Sequence, residues 1–158
     1  MKQHNRVRRA FLQAASLFGA GMVTSKVQAH HTDTHFEDSS THKLVYQLNK
    51  SDPDYIGSIL FSCGEMLRKY GDDVELVITV IGPGLHLLAK KPGRPIPAIH
   101  RQRVQSLAEY GIAFHACGNT MKALKWTKDD LLDIATVVPI GADDLMQLQE
   151  KGFSYISW

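Results

Sequence analysis

The sequence predicts an α/β domain whose mostly parallel, five-stranded sheet is covered by helices on both faces, three layers in all. Two patterns carry this expectation. From Lys43 to the C-terminus, short β-branched runs alternate with segments of helical spacing. Glycine, proline, Asp and Asn punctuate the junctions. Alternation of this kind needs crossover connections, which place helices on both sides of a parallel sheet. At 158 residues the chain suffices for one such domain and is too short for two.

The elements follow in order. Residues 43–49 read as a buried strand. Asp52-Pro53-Asp54 then starts a helix that runs to about Tyr70, with Ile56, Ile59, Leu60, Cys63, Met66 and Leu67 at helical spacing and Gly71 as its stop. The β-branched run 74–81 is a second buried strand, turned by Gly82-Pro83-Gly84 into a short helix over 85–90. A proline-rich loop covers 92–97. A helix over 100–110 ends at Gly111, and 112–116 is a third strand. Cys117-Gly118-Asn119-Thr120 opens a short helix, and Thr127-Lys128-Asp129-Asp130 caps the next turn. A strand over 134–139, a helix over 142–151 and a strand over 153–158 complete the chain. Ligands of parallel sheets collect at the carboxyl ends of the strands, where Asn49, Gly82, Cys117 and Gly141 fall.

Residues 1–29 are read as an export signal. Residues 1–9 are basic, 10–23 are mildly apolar, and Val27-Gln28-Ala29 forms a small-residue cleavage site, so the mature chain is expected to start at His30. The apolar run is shorter than the ~20 residues that span a bilayer, so no membrane span is expected in the mature chain. Arg8-Arg9-Ala10-Phe11-Leu12-Gln13 is similar to a twin-arginine signal, which makes the periplasm the expected destination; a general secretory signal is the alternative. Twin-arginine substrates cross already folded, which argues against a disulfide required for folding. This segment holds five of the 18 basic residues and no acid, leaving 13 basic against 16 acidic residues. A mature chain near −3 offers no footprint for nucleic acid. Residues 30–42 are polar and histidine-bearing, and are expected to form a flexible arm.

Cys117 is the candidate reactive group. It ends a strand and precedes a helix, where the dipole and unpaired N–H groups favour a nucleophilic thiolate; an inert buried cysteine is the competing reading. Gly118 is expected to let a substrate approach the backbone, and Asn119 and Thr120 to stabilise negative charge on the sulfur. Gly82 and His86 are possible site neighbours. His115 adjoins Cys117 but is expected on the other face of the strand, so it is not assigned as a base. Cys63 lies on the apolar helix stripe and reads as core; a bridge to Cys117 requires Cα atoms within ~7 Å. His30, His31 and His35 are candidates for a metal, without defined ligand spacing. Lys90, Lys91, Arg94, Arg101 and Arg103 form a basic stretch that either attracts small anions or is a solvated surface.

Three segments together resemble the DsrE/DsrF-like family of small sulfur-relay proteins, in its stand-alone branch. They are Val80-Ile81-Gly82-Pro83-Gly84-Leu85 with Leu87-Leu88; the run from Gly111 through His115-Ala116-Cys117-Gly118-Asn119-Thr120-Met121; and the tail from Val137-Val138-Pro139-Ile140-Gly141 to Ile156. The resemblance implies a flavodoxin-like α/β/α fold over residues 43–158, assembled as a homotrimer or homohexamer. It also implies that Cys117 carries sulfur as a persulfide, exchanged with a donor or acceptor protein, without a metal or organic cofactor. A non-enzymatic oligomeric protein that binds a metal ion or small anion is the alternative function.

Overall fold

The computed structural model describes residues 40–158. The export segment 1–29, its cleavage at Ala29, and His30, His31 and His35 of the arm lie outside the described residues.

Five strands and four α-helices alternate. They are β1 (His42–Leu48), α1 (Pro53–Tyr70), β2 (Val74–Val80), α2 (Ala98–Glu109), β3 (Ala113–Cys117), α3 (Gly118–Leu124), β4 (Ala135–Val138), α4 (Gly141–Glu150) and β5 (Ser154–Ile156). Every pairing is parallel, and the spatial order is β4-β3-β2-β1-β5. No helix of the described residues is long and apolar enough to cross a membrane. Local chemistry sets the boundaries. Asp52 accepts the Tyr55 N–H at 2.9 Å and so caps α1, Pro53 occupies its first turn, and Gly71 at φ +56 ends it. The turn after β2 is a 3-10 helix, Gly82–Leu88, which replaces the helix expected over 85–90. The arm expected through residue 42 ends earlier: His42 is already in β1, in register with Val74, its ring 4.4 Å from that of Tyr70.

The period-2 alternation of the strands divides two cores. On one face Tyr46, Leu48, Leu76, Ile78, Val80, Phe114 and Ala116 meet α1, α2 and α3 through Ile56, Ile59, Leu60, Val104, Leu107 and Met121. On the other, Val45 and Val77 meet Leu145 and Leu148 of α4, with Phe153 beside them. Right-handed crossovers explain the division. The chain steps one way from β1 to β4, which keeps α1, α2 and α3 on one face. To reach β5, beyond β1, it must return, and that return puts α4 on the other. The connections leaving β3 and β4, which are neighbours, therefore diverge to opposite faces. Such a reversal opens a crevice at the strands' carboxyl ends.

Gly84 anchors the 3-10 turn against β1. A Cβ there would lie 2.5 Å from both the Leu48 carbonyl oxygen and its Cδ2. Backbone cannot yield that distance cheaply, so Gly84→Ala is expected to destabilise the domain by about 2 kcal/mol or more. Gly64, inside α1, has nothing within 4 Å of the corresponding position, and Gly64→Ala should stabilise by about 0.5–1 kcal/mol. Urea unfolding of the two variants checks this opposite pair of signs.

Candidate functional site

The crevice between β3 and β4 holds a cleft of about 500 Å³. Cys117, at the end of β3, lines it together with Asn119 and Thr120 from α3, Gly82 and His86 from the 3-10 turn, and Arg94 from the proline-rich loop. Ile81, Pro83, Leu124 and Ile140 supply apolar wall. Five residues singled out in the sequence thus come together: Cys117, Gly82, His86, Asn119 and Thr120. Gly118 does not line the cleft. It is buried, and a Cβ there would sit 3.0 and 3.1 Å from the Val138 and Pro139 carbonyl oxygens. Glycine is needed for the chain after β4 to pass close by, so the space expected to admit a substrate at this position is taken by those carbonyl groups.

Cys117 is only 4% exposed. Its Sγ accepts the Gly141 N–H at 3.3 Å. That N–H is the first of α4, whose N-cap residue, Ile140, has no side chain able to cap it. The sulfur therefore takes the place of a capping oxygen for α4. Gly141 has no room for a side chain: a Cβ would lie 2.7 Å from Ile81 Cγ1 and 3.1 Å from Cys117 Cβ. Thr120 is oriented from the opposite direction. Its Oγ1 accepts the Gly82 N–H at 2.9 Å, which leaves its own proton for the sulfur. Gly82 manages this at φ +55, in the left-handed region that favours glycine. Burial pushes the Cys117 thiol up, but the Thr120 hydroxyl and the N–H groups of Thr120, Gly141 and Asn119 together outweigh it. The thiol lies below its ordinary value.

His115 departs from expectation. Residues two apart on a strand share a face, so His115 lies on the Cys117 side and not opposite it. Its Nδ1 lies 2.9 Å from both carboxylate oxygens of Asp144, and the Thr79 hydroxyl donates to Asp144 Oδ2 at 2.7 Å. Asp144 stands one turn into α4. These bonds tie the start of that helix to β2 and β3, beside the Gly141–Cys117 contact. Sequence spacing could not expose this cluster, because it joins residues 65 positions apart.

His86 is buried at the cleft wall, edge-on to Trp126 at 5.0 Å. Its Nδ1 accepts the Gly93 N–H at 3.1 Å, so the neutral ring carries its proton on Nε2. Burial, and then the Arg94 charge, hold its pKa below the usual histidine value, which keeps it uncharged at neutral pH. Cys63 is fully buried in the other core, its thiol pushed up by burial to about 12, and neither cysteine is in a disulfide. Among the described residues no three His, Cys, Asp or Glu side chains are grouped to hold a metal.

The profile of the DsrE/DsrF-like family matches residues 42–158. No curated protein sequence matches the chain. Solved structures that share its fold include the following two. One is MTH1491 from Methanobacterium thermoautotrophicum, described as a protein of unknown function, at 21% identity and a TM-score of 0.67. The other is the ychN protein from E. coli, at 12% identity and a TM-score of 0.61. Each comparison covers 74% of this chain and 99% of the other.

Two thiols in such different surroundings should separate in reactivity. Iodoacetamide at neutral pH is expected to alkylate Cys117 and spare Cys63 until the protein unfolds, as peptide mass mapping would read. Asp144→Ala, which releases the start of α4, should slow Cys117 alkylation by about threefold to tenfold, the effect of up to one unit in thiol pKa. An unchanged rate would mean that the Asp144 cluster does not hold the Gly141 N–H in place.

Proposed function

Because the chain belongs to the DsrE/DsrF-like family, we propose that it handles sulfur, with Cys117 receiving a sulfane sulfur as a persulfide and passing it to another thiol. Membership links the chain to sulfur relay at the level of the family. The observation that carries the finer reading is the position of Cys117: a cleft-lining sulfur with a depressed pKa, faced by N–H groups from two helices.

The reaction needs a thiolate and little else. The Cys117 sulfur attacks the sulfane sulfur of a donor, the donor's S–S bond breaks, and the electron pair leaves on the donor thiolate. A second thiolate later attacks the outer sulfur and regenerates Cys117. The groups that lower the thiol pKa serve both states, since a persulfide anion also accepts hydrogen bonds from Gly141, Thr120 and Asn119. No metal or organic cofactor enters either step. Cys63, in the opposite core, is poorly placed to resolve the persulfide, so the acceptor thiol comes from another molecule.

The proposal extends to location and assembly. The Arg8-Arg9 pair, the apolar run and Val27-Gln28-Ala29 support export to the periplasm. Exposed Val137, Ile140 and Met146 support self-association into a trimer or hexamer.

The test is persulfide loading. Incubation with inorganic polysulfide should add the mass of one sulfur atom to the native protein and to Cys63→Ala, and Cys117→Ser should show no addition. Undiminished loading of Cys117→Ser would overturn the proposal.

A further inference from the structure

Building on the persulfide reading of Cys117, we propose that the cleft selects a low-molecular-weight organic persulfide bearing a carboxylate, which Arg94 holds while the sulfane sulfur meets Cys117. Size is the first reason. A cleft of about 500 Å³ falls within the range of small organic ligand sites and far exceeds what a bare sulfur oxyanion fills. Its walls are the second. Ile81, Pro83, Ala123, Leu124 and Ile140 offer surface for a carbon skeleton and no hydrogen bond from their side chains to a compact inorganic ion.

Charge supplies the third reason. No Asp or Glu lines the cleft among the described residues, and Arg94 is its one cationic side chain. The rest of the basic stretch is not in the lining. Lys90 pairs with Asp133 at 3.1 Å, and Arg101 donates to the Lys90 carbonyl at 3.3 Å. Arg94 is also held in position. The neighbouring Gly93 N–H is fixed on His86, prolines at 92 and 95 stiffen the loop, and Arg94 Nη1 donates to Ser51 Oγ at 3.4 Å. A guanidinium has five N–H donors, and a single bond to Ser51 leaves its fork available for a carboxylate.

The step balances without a further reactant. The Cys117 thiolate attacks the outer sulfur of R–S–SH, the bond between the two donor sulfurs breaks, R–S⁻ departs, and Cys117–S–SH remains. Arg94 takes no part in bond making. It selects the donor by its charged end.

The experiment compares glutathione persulfide with its dialkyl ester as donors to the full domain, following persulfide on Cys117 by mass spectrometry at low ionic strength. The native protein should half-saturate with the acid at about fivefold lower concentration than with the ester, the scale of an exposed ion pair. That preference should shrink as salt is raised. In Arg94→Gln the two donors should become equivalent, and Arg94→Lys should recover part of the preference. Equal use of acid and ester by the native protein, or a preference unchanged in Arg94→Gln, overturns the inference. Loading by inorganic polysulfide but by neither organic donor also overturns it while leaving the sulfur function intact; loading by no donor overturns both.

Discussion

The hydrogen bond from the Gly141 N–H to the Cys117 sulfur is the contact on which this site depends. It joins the end of one strand to the start of a helix that follows its neighbour. The bond exists because the chain reverses direction across the sheet after β4, which sends α3 and α4 to opposite faces from adjacent strand ends. Two helix starts therefore converge on one sulfur, and their unpaired N–H groups offset the desolvation that burial imposes on a thiolate. The close approach requires glycine at 141, since even one methyl group would strike Ile81 and Cys117. It also requires α4 to stay seated, which the bonds of Asp144 to Thr79 and His115 provide.

Much of this was legible in the residues. The strands and the main helices announce themselves through β-branched runs, apolar spacing and the Asp52-Pro53 and Gly71 punctuation of α1. Once the strand ends are placed, Gly82, Cys117 and Thr120 follow as cleft candidates, because a parallel sheet gathers its functional residues there. What alternation cannot supply is strand order. Without it, nothing indicates that Gly141 meets Cys117 or that Asp144 meets His115 and Thr79. His115 illustrates a different failure, since strand periodicity itself places it on the Cys117 side. Gly118 illustrates a third. A glycine beside a reactive residue suggests room for substrate, but here the space is taken by the Val138 and Pro139 carbonyl groups.

The two sheet faces divide the labour. The face beneath α1, α2 and α3 carries the larger apolar core and holds Cys63 as an inert member of it. Among the described residues the opposite face is covered by α4 and carries the polar Thr79–Asp144–His115 cluster. The Cys117 thiol sits at the carboxyl end of β3, protected from bulk water yet lining the cleft. The fold is shared with structures of low sequence identity, so the fold does not specify the chemistry of this chain. What the cleft offers is a thiol with lowered pKa, a neutral His86, apolar walls and, among the described residues, one cation, Arg94.

The central claim is that backbone and hydroxyl donors hold the Cys117 thiol below its ordinary pKa. Ultraviolet titration of thiolate absorbance in the folded Cys63→Ala protein tests it most directly, with Cys117→Ser in the same background subtracted. The account predicts one ionisation whose midpoint lies clearly below that of an ordinary cysteine. A midpoint at or above the ordinary value would contradict it, because burial would then outweigh the donors at Gly141, Thr120 and Asn119.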